Sequence, residues 1–315
     1  MKIGLHIGKF DWIGSPKNIG IKLAEIAQKA DEVGFSSIWV MDHIFQLGTR
    51  FGTIHGPETA AMLEGYSTIA YLAALTKRIK LGVQVTCNFF RNPALLIKII
   101  TTIDVLSGGR TYFGIGAGWF EREAIGYGYN FPTIKERFER LEEILQIAKH
   151  MWSGNINAFE GKFVTLEEPI NVPKPLSNPN PPILIGGGGE KKTLRLVAKY
   201  GDACNIVLGT TLSEAGTLSR EDITWDHQAE RLMHKYNVLK QHCDNIGRVY
   251  EEIEKTATTY VKLAPDAMDS SEIIQICKKL ADVGCQHLIF NMPNVDDIKP
   301  LEIMGREVIK EVKDF

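Results

Sequence analysis

The feature that most constrains this fold is a repeated alternation of short β-branched apolar runs with amphipathic helical patterns along all 315 residues. The first unit pairs a strand at 2–7 with a helix at 19–33, and the last pairs a strand at 287–290 with a helix at 297–312. Six further units lie between them. Eight units predict an α/β fold, a (β/α)8 TIM barrel; a doubly wound parallel sheet is the alternative.

One segment interrupts this alternation. Residues 153–182 are rich in Gly, Asn and Pro and fall between the fourth and fifth units. In a barrel this segment is an insertion rather than a domain boundary. We therefore predict one domain over residues 1–315.

Composition excludes several classes of partner. The chain has 36 basic and 38 acidic residues, a formal charge of -2, and no long run of one sign, so the electrostatic footprint of a nucleic-acid binder is missing. No apolar stretch approaches the roughly 20 residues that span a bilayer, and the N-terminus lacks a signal-peptide pattern. Five scattered cysteines without CxxC spacing predict free, buried thiols in a reducing compartment. We expect a cytoplasmic protein with a small-molecule substrate.

Four consecutive glycines follow the fifth predicted strand and precede its helix: Gly186, Gly187, Gly188 and Gly189. Active sites of such barrels lie at the carboxyl ends of the strands. A helix N-terminus offers unsatisfied N–H donors, and glycine lets an anion such as a phosphate approach them. The alternative is a permissive tight turn. The segment is neither a Walker loop nor a GxGxxG fingerprint.

Asp42 and His43 close the second predicted strand. Histidine titrates near neutral pH and an acidic neighbour can orient it, so this pair is the best candidate for general acid/base chemistry, against the alternative of a structural histidine. No GxSxG elbow and no HExxH pair exists in the sequence. Nucleophilic-serine and metal chemistry are therefore not predicted.

Residues suited to line a pocket lie at the ends of two further strands. The run GIGAGW at 114–119 departs from a dinucleotide fingerprint at Trp119 and suits a floor of small residues beneath a planar ring, with Trp119 as a wall. In the run TCNFFRNP at 86–93, Thr86 and Asn88 can hydrogen-bond the edge of a heteroaromatic ring. Arg91 is expected to pair with a carboxylate or to meet a substrate.

As an ordered set, four segments resemble the luciferase-like monooxygenase superfamily, and within it the branch that uses the deazaflavin coenzyme F420 instead of FMN. The segments are WVMDH (39–43), TCNFFRNP (86–93), DVLSGGRTYFGIGAGW (104–119) and PILIGGGGEKKT (182–193). The resemblance implies a barrel with a flavin-like ring in its mouth and a cofactor phosphate on the amides after the fifth strand. It also implies a non-proline cis peptide near Val83–Gln84 and a homodimer that packs through the helices after the second and third strands.

Site residues follow from the resemblance position by position. His43 and Asp42 would be catalytic, with Asp42 also beside the ring. The remaining cofactor contacts would be Val85, Thr86, Asn88, Gly118, Gly186, Gly187, Gly188, Gly189 and Glu190.

Two departures from the sugar-phosphate dehydrogenases of the F420 branch concern the substrate pocket. Trp119 stands where those enzymes carry a glutamate, and the tryptophan that follows their Asp-His pair is missing near Leu47. These departures argue against sugar-phosphate activity, although Glu121 can turn into the pocket. Substrate contacts are expected from loops after strands one, four, six and seven, including residues 208–224.

Three functions stay open on the sequence. The first is an F420-dependent oxidoreductase that transfers a hydride between the deazaflavin C5 and a small organic substrate. The second is an FMN-dependent monooxygenase fed by a separate flavin reductase. The third is a barrel that binds a flavin-like molecule without catalysis.

Overall fold

A computed structural model describes residues 1–48, 55–212, 218–220 and 224–315. Its parallel strands close into a barrel, because the third strand pairs with the second on one side and with the fifth on the other. The strands are β1 (Lys2–Ile7), β2 (Ser37–Val40), β3 (Lys80–Val83), β4 (Thr86–Cys87), β5 (Thr111–Gly116), β6 (Phe159–Glu160), β7 (Thr165–Leu166), β8 (Ile183–Gly186), β9 (Ala203–Val207), β10 (Thr210–Leu212), β11 (Leu218–Arg220), β12 (Glu254–Tyr260) and β13 (His287–Asn291).

Around the barrel the order is β3, β2, β1, β13, β12, β9, β8, β5, with β4 continuing the β3 unit against β5. The predicted TIM-barrel fold is confirmed, and the doubly wound alternative is wrong because an open sheet would leave two unpaired edges. A cis peptide separates β3 from β4. It joins Gln84 to Val85, one bond later than predicted.

Helices cover the outside of the barrel. They are α1 (Ile19–Val33), α2 (Gly65–Leu75), α3 (Pro93–Ser107), α4 (Glu121–Gly126), α5 (Ile134–Trp152), α6 (Thr193–Tyr200), α7 (Trp225–Ile246), α8 (Ser270–Asp282), α9 (Ile298–Ile303) and α10 (Lys310–Val312). Local sequence sets their ends: Asn92 caps α3 through the Leu95 amide with Pro93 in the first turn, and Gly108 ends it at φ 72°.

Several elements differ from the sequence expectation. The short helix α4 and the β-hairpins β6–β7 and β10–β11 were not predicted. A π-helical segment, Met304–Ile309, separates α9 from α10 within the single helix expected at 297–312. Helix α6 begins at Thr193, so Lys191 and Lys192 precede it instead of forming its first turn.

A polar network fills the amino-terminal end of the barrel, which we call the base. Trp39 Nε1 donates to Ser37 Oγ at 2.7 Å, and Ser37 Oγ lies 2.8 Å from Nε2 of His287. The Glu254 carboxylate accepts from Tyr112 Oη at 2.9 Å and from Lys2 Nζ at 2.8 Å. His287 Nδ1 lies 3.6 Å from Glu254, close enough for an electrostatic interaction but beyond hydrogen-bond distance.

Buried carboxylates fasten the segment 153–182 to the barrel at two places. Glu143 on α5 accepts the backbone amides of residues 162, 163 and 164 at 2.6 to 3.1 Å. Asp104 on α3 accepts the amides of Leu176 and Ser177, both at 2.8 Å. Each carboxylate satisfies backbone donors that have no strand or helix partner.

Two simpler expectations concern the thiols and the membrane. All five cysteines are free and buried, as the sequence predicted. Within the described ranges, every helix is too short or too polar to cross a bilayer.

Candidate active site

His43 lies just past the carboxyl end of β2, in the mouth of the barrel. Its Nδ1 is 2.7 Å from Oε1 of Glu123, a nearly fully buried residue of α4. The other oxygen of Glu123 accepts the Ile44 amide at 2.9 Å, which fixes the carboxylate. Because a carboxylate can only accept, Nδ1 carries the hydrogen, and the lone pair of the neutral ring is on Nε2. Nε2 makes no hydrogen bond to any described residue.

The carboxylate that orients His43 is therefore Glu123 and not its neighbour Asp42. Glu123 was not predicted from the sequence. Glu121, which was predicted to reach the substrate pocket, is exposed in the first turn of α4. A glutamate in both positions was visible in the sequence. Only the phase of a six-residue helix decides which of the two turns inward.

Asp42 instead holds the barrel wall together. Its two oxygens accept from Nη1 and Nη2 of Arg91 at 2.7 and 2.8 Å, and one also accepts the Cys87 amide at 3.1 Å. Arg91 reaches Glu64 as well, so of the two expectations for Arg91, pairing with carboxylates is the observed one. Burial alone would lower the pKa of Arg91, because it disfavours the charged guanidinium. The hydrogen bonds to Asp42 and the negative charge of Asp42 have the larger effect, so the pKa of Arg91 is raised. A catalytic role for Asp42 stays a prediction.

Glycines and one valine pack closely near the carboxyl ends of β3, β5 and β8. Val85 packs between β5 and β8, where a Cβ on Gly116 or Gly186 would lie 2.8 Å from its methyl groups. Gly118 has φ 72°, and a Cβ there would lie 2.7 Å from both Cys87 Sγ and the Phe89 ring. These positions exclude side chains for steric reasons. A floor of small residues beneath a cofactor ring stays a prediction.

Thr86 and Asn88 have protein partners. The Thr86 hydroxyl bonds Tyr66 Oη, whose pKa burial and the nearby Asp42 raise. The Asn88 amide donates to the Arg137 carbonyl oxygen at 2.5 Å, while its own oxygen is buried and unpaired. Their predicted contacts with a cofactor ring stay predictions.

An aromatic wall stands beside His43. Trp119 stacks on Phe120 with ring centres 5.2 Å apart, and its ring centre is 5.6 Å from that of His43. Phe120 also contacts Leu47 and Met41 in one apolar cluster. The two positions at which the chain departs from the sugar-phosphate dehydrogenases, 119 and 47, therefore lie in the same wall.

The four glycines form an open loop between β8 and α6. Gly187, at φ 123°, donates its amide to the Asn205 carbonyl oxygen at 2.9 Å. The amides of Gly188 and Gly189 make no hydrogen bond to the described residues. A Cβ added to Gly188 would lie 3.7 Å from Lys235 Cε, its nearest neighbour. Two amides without a partner among the described residues suit a phosphate, and the neighbouring cation is Lys235, whose ammonium bonds Glu190 at 2.6 Å.

Glu190 ends this loop in an ion-paired cluster. Its carboxylate lies 2.6 Å from Lys235 Nζ and 3.0 Å from His234 Nε2. Lys235 and His234, both on α7, were missed because they are 45 and 44 residues from Glu190 in the sequence. Part of the predicted substrate loop 208–224, residues 213–217 and 221–223, lies outside the described residues.

Two known F420-dependent enzymes are similar to this chain, one in sequence and one in fold. An F420-dependent glucose-6-phosphate dehydrogenase of Amycolatopsis mediterranei (strain U-32) is 27% identical to this chain, over 92% of this chain and 94% of that protein. An F420-dependent secondary alcohol dehydrogenase, solved in complex with an F420-acetone adduct, has a TM-score of 0.79 at 18% identity and covers 99% of this chain and 98% of its own.

A second solved structure has the same barrel. The oxygenating constituent of 3,6-diketocamphane monooxygenase of Pseudomonas putida, in complex with FMN, has a TM-score of 0.75 at 16% identity, with 99% of each chain covered. The family model for luciferase-like monooxygenases matches residues 13–221, about two thirds of the sequence. The chain therefore belongs to the luciferase-like monooxygenase family.

Proposed function

We propose that this protein is a coenzyme F420-dependent oxidoreductase that transfers a hydride between the deazaflavin and a small organic substrate. The observation that carries the proposal is the His43–Glu123 pair, which leaves Nε2 of His43 open to the mouth of the barrel. The 27% identical F420-dependent relative supports the choice of cofactor.

The residues present fit such a cofactor. Its phosphate would bind the unpaired amides of Gly188 and Gly189, with Lys235 as the adjacent cation. Its ring would lie beside Val85 and Gly118. When bound, F420 supplies hydride chemistry at C5 of its ring.

The chain's own groups supply positioning and proton transfer. Glu123 keeps the hydrogen on Nδ1 of His43, so Nε2 is free to take a proton from a substrate hydroxyl or to return it. Trp119 and Phe120 shield one side of this nitrogen from water. The Asp42–Arg91 pair holds the end of β2 against the loop after β4, which fixes the position of His43 in the mouth.

A titration of the purified protein with F420 and with FMN, followed by absorbance and fluorescence, tests the proposal. We expect F420 to bind at least about tenfold more tightly than FMN, a difference of about 1.4 kcal/mol. The loop provides a matched pair of variants, because an added Cβ at Gly188 has room. Gly188→Ala should bind F420 nearly normally, and Gly188→Asp should lose binding through repulsion of the phosphate. Equal binding by both variants would contradict the phosphate site.

A second candidate function is an FMN-dependent monooxygenase served by a flavin reductase. The FMN complex of the diketocamphane monooxygenase, which shares the fold, favours it. Tight FMN binding with oxygen uptake on addition of a reductase would replace the first proposal by this one. Cofactor binding without turnover of any alcohol, aldehyde or imine would favour the non-catalytic alternative.

We also propose a homodimer through α2 and α3. The exposed apolar residues Tyr71, Leu95 and Leu106 lie on these helices. Sedimentation equilibrium should give twice the chain mass of 35.2 kDa. Leu95→Glu should shift the mass towards the monomer, and a monomeric wild type would contradict the proposal.

A further inference from the structure

His6, on β1, is a buried histidine that the chemistry described so far does not use. Gly4 on the same strand faces the barrel interior, where an added Cβ would lie 2.5 Å from Ser37 Oγ. Side chains alternate along a strand, so His6 faces the interior as well, two residues nearer the mouth. Ile3, Leu5 and Ile7 pack in the surrounding core.

The His6 ring has no hydrogen-bond partner in the described part of the chain. The residue is 5% exposed and its Nδ1 is fully buried. Burial, together with the nearby His55 and His43, lowers the pKa of His6 to about 3. The ring is therefore neutral at physiological pH and offers one N–H donor and one lone pair. Buried polar groups in native proteins are nearly always paired, so this one needs an explanation.

A purely structural role explains His6 poorly. His287 faces the same barrel interior at the base, where Nε2 lies 2.8 Å from Ser37 Oγ. A histidine that serves only packing or stability would be expected to make such a bond. His6 differs from His287 in its position near the mouth and in having no partner at either nitrogen among the described residues, whereas His287 lacks one only at Nδ1.

A second unpaired polar side chain neighbours His6. Asn291 on β13 is the register partner of His6, and its amide lies against Gly8, where an added Cβ would be 3.1 Å from Nδ2. The Asn291 side chain makes no hydrogen bond within the described ranges. In the ring of eight strands β1 lies opposite β8, whose glycine loop we assign to the cofactor phosphate. His6 and Asn291 thus lie on the side of the mouth that the phosphate loop leaves free.

We propose that His6 and Asn291 bind an uncharged hydroxyl or carbonyl oxygen of the substrate. The inference rests on the proposed function, because it needs a substrate in the same mouth. An imidazole and an amide each combine a donor with an acceptor, as a hydroxyl does. Neither carries a charge that would stabilise a phosphate or carboxylate. The substrate class is therefore a neutral alcohol or carbonyl compound rather than a sugar phosphate.

Ring ¹⁵N resonances of histidine-labelled, F420-loaded protein test the contact directly. The probes are 2-propanol, cyclohexanol and glucose 6-phosphate, and His287 is the internal control because it is equally buried but lies at the base. We expect an alcohol to shift the His6 resonances and leave those of His287 in place. Unmoved His6 resonances with both alcohols, or a shift only with glucose 6-phosphate, would overturn the proposal.

Two variants provide an independent measurement. His6→Leu should raise KM for the alcohol that shifts His6 by about tenfold with a much smaller change in kcat, because one ground-state hydrogen bond is lost. His6→Gln should restore KM to within about threefold. Both should keep the wild-type Kd for F420 and a cooperative thermal transition. An unchanged KM in folded His6→Leu would overturn the assignment.

The outcomes separate this inference from the proposed function. Failure of the wild-type protein to bind F420 would contradict both. Normal F420 binding with unmoved His6 resonances would contradict the substrate contact alone.

Discussion

The two ends of the barrel each carry a histidine beside a glutamate, which is partly buried at the base (Glu254) and buried at the mouth (Glu123). At the base, Lys2 and Tyr112 donate to Glu254, Ser37 pairs with Nε2 of His287, and Nδ1 of His287 lies 3.6 Å from the Glu254 carboxylate. At the mouth, Glu123 binds one nitrogen of His43 and leaves the other open. A carboxylate paired with several donors contributes to stability, whereas a ring nitrogen that faces the mouth is available for chemistry. Substitutions at the two ends should therefore affect different properties.

The largest effect is expected at the base. Burial alone would raise the pKa of Glu254, because it favours the neutral acid. The interactions with His287 and Lys2 have the larger effect and lower the pKa from 4.5 to about 2. At 3.6 Å from Glu254, His287 Nδ1 is beyond hydrogen-bond distance, so we regard its contribution as electrostatic and Lys2 as the direct bond. Glu254→Gln should lower the free energy of unfolding at pH 7 by about 3 kcal/mol, measured by urea denaturation.

The pH dependence has a defined sign. Because the pKa is lower in the folded state, the contribution is full above the unfolded-state pKa and is lost as the pH falls from about 4.5 towards 2. The difference between wild type and Glu254→Gln should shrink over that range. Glu302→Gln, at an exposed ion pair with Lys29, is the control and should change little. A constant difference down to pH 3 would contradict the account.

The second prediction concerns the mouth. His43→Ala should lower kcat about a hundredfold or more, because it removes the group that we propose to move the substrate proton. The free energy of unfolding should change by less than about 1 kcal/mol, since the ring is partly exposed and makes one side-chain bond. Steady-state kinetics and urea denaturation of the same preparation check both statements. His150→Ala removes a partly exposed histidine of α5 as a control, and full turnover by His43→Ala would exclude the proton-transfer role.

The third prediction separates Glu123 from its neighbour. Glu123→Gln should lower kcat by about tenfold, because an amide that accepts from Ile44 presents its NH2 to Nδ1 and moves the ring hydrogen to Nε2. The pH profile of kcat should shift as well, which a purely structural defect would not produce. Glu121→Gln is the matched control, two residues away and exposed. Equal effects of the two variants on kcat would contradict the assignment of His43 orientation to Glu123.

The smallest predicted effect is again at the base. Tyr112→Phe removes the hydroxyl that donates to Glu254 at 2.9 Å and should cost about 1 kcal/mol of unfolding free energy with unchanged kcat. Tyr71→Phe removes an exposed hydroxyl that donates to Gly20 and should cost about 0.5 kcal/mol or less. A fall in kcat for Tyr112→Phe would break the separation between the two ends.

Local patterns in the sequence were sufficient to predict the barrel. Strand and helix periodicities repeat eight times, and the strand ends marked His43, Gly118 and the four glycines at the mouth. Contacts between distant residues were not predictable in this way. Glu123 is 80 residues from His43, and Lys235 is 45 from Glu190. Whether a given β1 residue faces the interior also depends on how the sheet closes, so His6 gave no signal in the sequence.

The two anchor points of residues 153–182 indicate where this protein can accept an insertion. Glu143 holds residues 162–164 and Asp104 holds residues 176 and 177, so the chain between these points is anchored at both ends independently of its length. Loop closure costs little more for a longer loop once its ends are fixed. The exposed stretch around Glu167 and Glu168 should therefore accept an inserted peptide or a whole small domain while the catalytic mouth keeps its geometry.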